Sequence, residues 1–123
     1  SIVDRTPGYI EIYSLGNQVV FVIDSQEIDS IKNQLIEKYR PLRIILFGSQ
    51  AKETAGRKSD IDLCIVKETE NKRALAVEMS LNIESTRPMD IIVYTPDEWD
   101  SSRQDSTSFA SMVWKRGVEI YGG

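Results

Sequence analysis

Two short stretches near the start of the chain are rich in β-branched and aromatic residues. Residues 9–13 (Tyr-Ile-Glu-Ile-Tyr) and 18–24 (Gln-Val-Val-Phe-Val-Ile-Asp) flank Ser14-Leu15-Gly16-Asn17, a pattern that predicts a β-hairpin. From Ser25 the period changes. Ile28, Ile31, Leu35 and Tyr39 recur at three- and four-residue intervals, which predicts a helix capped by Ser25 and stopped by Arg40-Pro41. Ile44-Ile45-Leu46-Phe47 then reads as a buried strand over 43–47, followed by a short helix from Ser49 and a polar loop at 55–59. A second apolar strand is predicted at 61–66. A helix over 72–86 carries Leu75, Met79 and Ile83 as its core stripe, and a third strand spans 89–94. Thr95-Pro96-Asp97-Glu98 combines a cap, a proline suited to a first turn and acids suited to a positive helix end. A last helix over 106–116 ends at Gly117, before Val118-Glu119-Ile120-Tyr121.

This alternation predicts an α/β (α+β) domain, a mixed sheet with helices packed on one face, over residues 25–123. Residues 1–24 form an N-terminal β-hairpin extension. Internal repeats, low-complexity tracts and flexible linkers are absent. Ser1 in place of Met marks a processed or artificial start.

Composition narrows the chemistry. With 123 residues, 41% of them hydrophobic, the chain suits one domain with a modest core, too short to hold a separate substrate domain. The formal charge is 15 − 19 = −4, which argues against non-specific nucleic-acid binding through a basic face. The absence of histidine excludes a His-based triad, a His general base and a His-ligated zinc. Carboxylates are left to handle metal and proton. The single cysteine, Cys64, lies in an apolar strand and reads as a small buried side chain. A reducing cytoplasm fits this cysteine usage. No apolar run approaches the ~20 residues of a membrane span, and no signal peptide is visible.

Against this background one stretch stands out. Gly48-Ser49 closes the first strand, and Asp60-Ile61-Asp62 opens the second. Glycine lets backbone approach a ligand closely, and a helix opening at Ser49 would offer free N–H groups to a phosphate. Asp60 and Asp62 are two residues apart, so both carboxylates point the same way on a strand. Two hard oxygen ligands on one face suit Mg²⁺ with a triphosphate. Either half alone has a bland reading, as a capped turn or a solvated strand face. Lys52, Arg57 and Lys58 lie between the two halves and read either as triphosphate-neutralising cations or as solvated loop. Asp90, flanked by Met89, Ile91 and Ile92, is an acid on an apolar strand, and burying it would demand a cation or metal.

Gly-Ser, a spacer, Asp-x-Asp and a third acid on a later strand together resemble the DNA polymerase β-type nucleotidyltransferase superfamily. At this length the chain is most similar to its minimal nucleotidyltransferases (MNT). The likeness runs from about Ile28 to Tyr121 and includes the ending Ser108-Phe109-Ala110-Ser111-Met112-Val113-Trp114-Lys115-Arg116-Gly117. It implies that Asp60, Asp62 and Asp90 hold two Mg²⁺ ions and that Gly48 and Ser49 cradle the β- and γ-phosphates of ATP or another NTP. Asp90 would accept the proton of the attacking hydroxyl, or hold that hydroxyl's metal. Three clustered acids should also weaken the metal-free fold through repulsion, with Mg²⁺ restoring it. Gln50 stands where relatives often carry a basic or aromatic residue, and the N-terminal hairpin also departs from the family pattern.

For the acceptor, the resemblance implies a tyrosine on a helical HEPN-type toxin partner, modified with AMP by an MNT antitoxin. A homodimer with a shared cleft is compatible with this. The alternatives are a non-catalytic antitoxin that works by contact and transfer to a small molecule such as an aminoglycoside. Template-dependent polymerisation lacks a basic groove. Trp99, Trp114, Phe109 and Tyr94 are candidates for base stacking, but Phe109 and Trp114 sit at helical spacing with Met112-Val113 and read as core.

Overall fold

The computed structural model describes residues 2–6, 10–15, 18–23, 25–48 and 60–122. Strands β1 (Ile2–Thr6), β2 (Ile10–Leu15) and β3 (Gln18–Ile23) form an antiparallel sheet in the order β1-β2-β3. The β2–β3 pair, with Ile10 opposite Ile23 and Leu15 opposite Gln18, is the expected hairpin; β1 is a third strand that alternation did not reveal.

Helix α1 (Ser25–Tyr39) follows the predicted span. It ends where Arg40 takes a left-handed φ of 50° and donates its backbone N–H to the Ile36 carbonyl, just before Pro41. Strands β4 (Arg43–Phe47), β5 (Ile61–Val66), β6 (Met89–Tyr94) and β7 (Val118–Tyr121) form the central sheet in the order β6-β5-β4-β7. β5 and β6 are parallel; the other two pairings are antiparallel, so the sheet is mixed as expected.

Helix α2 (Lys72–Asn82) starts at Asn71, whose side chain accepts from the Ala74 N–H. It is shorter than the predicted 72–86. Ile83 closes it through an N–H bond to the Met79 carbonyl, and residues 84–86 bond to α1 instead. Helix α3 (Pro96–Ser102) has the predicted Thr95 cap and first-turn proline. Helix α4 (Phe109–Arg116) begins later than 106 because Ser108 takes the cap, accepting from the Ser111 N–H.

Helices cover both faces of the sheet, which corrects the expectation of one. Ile44, Leu46, Ile61, Leu63, Ile65, Ile91 and Val93 pack with α1 and α2 through Ile28, Ile31, Leu35, Met79 and Ile83. On the other side Ile45, Phe47, Cys64 and Val66 pack with Trp99, Ala110 and Val113 of α3 and α4. Continuous apolar runs in β4 and β5, in place of strict alternation, are the sequence trace of this double burial. Cys64 is fully buried as predicted, and burial pushes its thiol up to about 12. Among the described residues, no helix is long and apolar enough to cross a membrane.

Candidate active site

The functional geometry follows from strand register. Phe47 at the end of β4 lies opposite Asp62 in β5, and Asp62 lies opposite Asp90 in β6. Alternation puts all three on the α3/α4 side of the sheet, the side of Cys64 and Val66. Asp62 and Asp90 are thus direct neighbours across a parallel pair, at the end where both strands begin. Asp60 precedes Asp62 by two residues, just outside β5. Asp60 and Asp90 are exposed and Asp62 is half-buried. Exposure of Asp90 corrects the argument from burial: what sets this acid apart is its place beside Asp62, not desolvation.

Gly48 bears on the same point. Its φ of 74° is one that side chains rarely adopt, and a Cβ there would lie 2.1 Å from Asp62 Oδ2 and 2.9 Å from its Cγ. The close approach that the glycine allows is therefore made first by a carboxylate of this chain. The Gly48 backbone and the Asp62 side chain share one small space.

Asp62 and Asp90 therefore form a register pair, with Asp60 next along the chain. Their hard oxygens suit Mg²⁺ in kind. Among the described residues, however, no group of three or more His, Cys, Asp or Glu side chains converges closely enough to hold a metal ion. Ser49, Lys52, Arg57 and Lys58, and the short helix expected from Ser49, lie outside the described residues.

The aromatic expectations divide. Trp99 is 1% exposed and belongs to the core, with Tyr94 at 5.5 Å and Trp114 at 6.1 Å between ring centroids. Phe109 and Trp114, read as core, are 43% and 40% exposed. Helical spacing put them near the buried Val113 but could not say how far α4 is rotated. Phe109 meets Phe47 edge-on at 5.5 Å, beside the Phe47–Asp62–Asp90 row. Trp114 lies under the guanidinium groups of Arg43 and Arg103, at 5.4 and 5.2 Å.

Sequence reasoning missed a set of polar residues behind the acids. Glu27 Oε1 accepts from the Thr86 N–H at 2.6 Å and from Ser85 Oγ at 2.8 Å. Gln34 accepts from the Glu84 N–H and donates to the Glu84 carbonyl. Hydrogen bonds from Ser85 and Thr86, with the Arg87 charge nearby, hold the Glu27 carboxyl below its ordinary range against the opposing effect of burial. Glu27 in a first helical turn reads as a dipole partner, and nothing local signals a contact 58 residues away.

The mixed sheet thus carries a carboxylate pair near the start of two parallel strands, beside a glycine turn. Residues 28–113 match the family model for the nucleotidyltransferase domain, and the chain belongs to that family. No curated protein gives a significant match.

Proposed function

We propose that this nucleotidyltransferase domain is a minimal nucleotidyltransferase that moves AMP from ATP to a hydroxyl acceptor, with release of pyrophosphate and dependence on Mg²⁺. The observation that carries this reading is the register of Asp62 against Asp90, with the Gly48 turn closed on the Asp62 carboxylate. Asp60, Asp62 and Asp90 are the residues that would hold the two ions. Bound metal would lower the pKa of the acceptor hydroxyl and stabilise the leaving pyrophosphate. Gly48 and Ser49 would present backbone N–H groups to the β- and γ-phosphates, and Lys52, Arg57 and Lys58 would offset their charge. Asp90, on the edge strand β6, is open to an acceptor arriving from outside the sheet, and would take the hydroxyl proton.

The acceptor in this reading is a tyrosine of a HEPN-type protein partner, and the role is that of an antitoxin in the cytoplasm. A second reading is a contact antitoxin without catalysis.

Calorimetry with a non-hydrolysable ATP analogue decides between the two. Binding that requires Mg²⁺ and is lost in Asp60→Asn/Asp62→Asn supports transfer. Failure of the wild type to bind ATP, GTP, CTP or UTP analogues would refute transfer by the isolated chain.

A further inference from the structure

The loop between α2 and β6 is tied by hydrogen bonds to helix α1, which packs on the same side of the sheet as α2. Glu27, in the first turn of α1, accepts from both the Thr86 N–H and Ser85 Oγ. Ser85 Oγ in turn accepts from the Arg87 N–H at 3.1 Å and lies 2.7 Å from the Arg87 carbonyl. The hydroxyl has one hydrogen, so it donates to Glu27 or to Arg87 at any instant, and the carboxylate acceptor makes the stronger bond. The next residue, Pro88, accepts from the Ile61 N–H at 2.8 Å. Ile61 stands between Asp60 and Asp62, and Pro88 is two residues before Asp90. A single carboxylate is thereby tied through Ser85 and the 86–88 backbone to the start of both acid-bearing strands.

We infer that Glu27 is a positioning residue for the candidate active site, setting the relative placement of Asp62 and Asp90 by anchoring the start of β6 against the start of β5. This rests on the nucleotidyltransferase reading. Glu27 lies on the α1/α2 side of the sheet and the acids on the other, so it acts through the strand starts and not by touching substrate. Two strands that slide by even a fraction of a residue would separate the carboxylates, and chemistry that depends on positioning tolerates little such error.

The test uses the full chain, with Glu27→Ala, Glu27→Gln and Ser85→Ala. Amide hydrogen exchange is read at Thr86, Arg87 and Ile61. Leu42 and Lys67 serve as controls, since their amides bond to the Val66 and Tyr94 carbonyls at the opposite strand ends. Binding of Mn²⁺ with a non-hydrolysable ATP analogue is measured in parallel. Glu27→Ala is expected to speed exchange at Thr86, Arg87 and Ile61 by about tenfold, leave Leu42 and Lys67 unchanged and weaken metal–nucleotide binding by about tenfold, the scale of one lost hydrogen bond to a charged group. Ser85→Ala should act in the same direction, and Glu27→Gln, which keeps an acceptor oxygen, should restore most of both. Unchanged exchange at Ile61, equal acceleration everywhere, or unaltered affinity in Glu27→Ala against a binding wild type would overturn the inference. A wild type that does not bind the analogue refutes the nucleotidyltransferase reading instead, while exchange at Ile61 still decides whether Glu27 ties the strand starts together.

Discussion

On the α1/α2 side of β5 the successive positions are Ile61, Leu63 and Ile65, all fully buried; on the α3/α4 side they are Asp62, Cys64 and Val66. The same contrast holds in β6, where Ile91 and Val93 face α1 and α2 while Asp90 leads Ile92 and Tyr94 on the other side. One face is thus aliphatic along the whole strand. The other is apolar for its later positions only and gives its first position to a carboxylate in each of two neighbouring strands. Like charges side by side oppose folding, and apolar residues there would favour it. The aliphatic face and the later part of the α3/α4 face therefore hold the domain together, while the strand starts carry the acids.

The largest effect that sharpens this contrast is expected at the acids. Asp62→Asn or Asp90→Asn should lower nucleotidyl transfer by ~10²–10³-fold, the scale of losing one preorganised electrostatic group. For Asp90→Asn the thermal midpoint should stay level or rise without metal. A fall in stability comparable to a core deletion would break the division between the two faces.

Next comes the aliphatic face. Ile65→Ala should cost about 2–5 kcal/mol in urea unfolding, the range for removing a fully buried aliphatic side chain. The neighbouring Cys64→Ala removes a single sulfur and should cost much less. Equal losses would mean that the faces contribute alike.

Gly48→Ala tests the point where the two functions meet. The added methyl meets the Asp62 carboxylate at 2.1 Å on a left-handed backbone. A loss of ~1–3 kcal/mol from backbone strain is expected, together with loss of metal-dependent nucleotide binding. Retention of that binding would show that Asp62 does not need the space beside Gly48.

The smallest effect is electrostatic. The Glu27 carboxyl is held below its ordinary value of 4.5, so its folded state binds a proton less readily than its unfolded state. Its contribution is present above pH 4.5 and is lost as pH falls through the lower folded value. Asp105, held low by Thr107, changes in the same direction and serves as an internal comparison. Glu27→Gln should flatten the acid limb of the pH–stability curve by the Glu27 share alone, and an unaltered limb would deny the carboxylate that role.

Much of the fold was legible because local pattern carries it. The stripe Ile28, Ile31, Leu35 marked α1 over its whole length, and the apolar runs of 43–47 and 61–66 marked the central strands. The failures have a common cause. The end of α2 is set by Gln34 and Glu27 reaching across from α1, and the exposure of Phe109 and Trp114 by the rotation of α4 against the sheet. These depend on contacts between segments far apart in the chain. The same double-sided burial that made β4 and β5 easy to see as strands concealed which helices lie on which face.

The residue types and spacings around Gly48, Asp60 and Asp62 carried the resemblance to nucleotidyltransferases, and that resemblance nominated Asp90; what was local was the glycine turn and the period-two carboxylates. That Asp90 stands directly beside Asp62, that Gly48 makes room for the Asp62 carboxylate, and that Glu27 reaches the loop ahead of β6 emerged only with the fold. Register and side-chain contact are set by how whole strands and helices pack, and no short stretch of the chain contains that information.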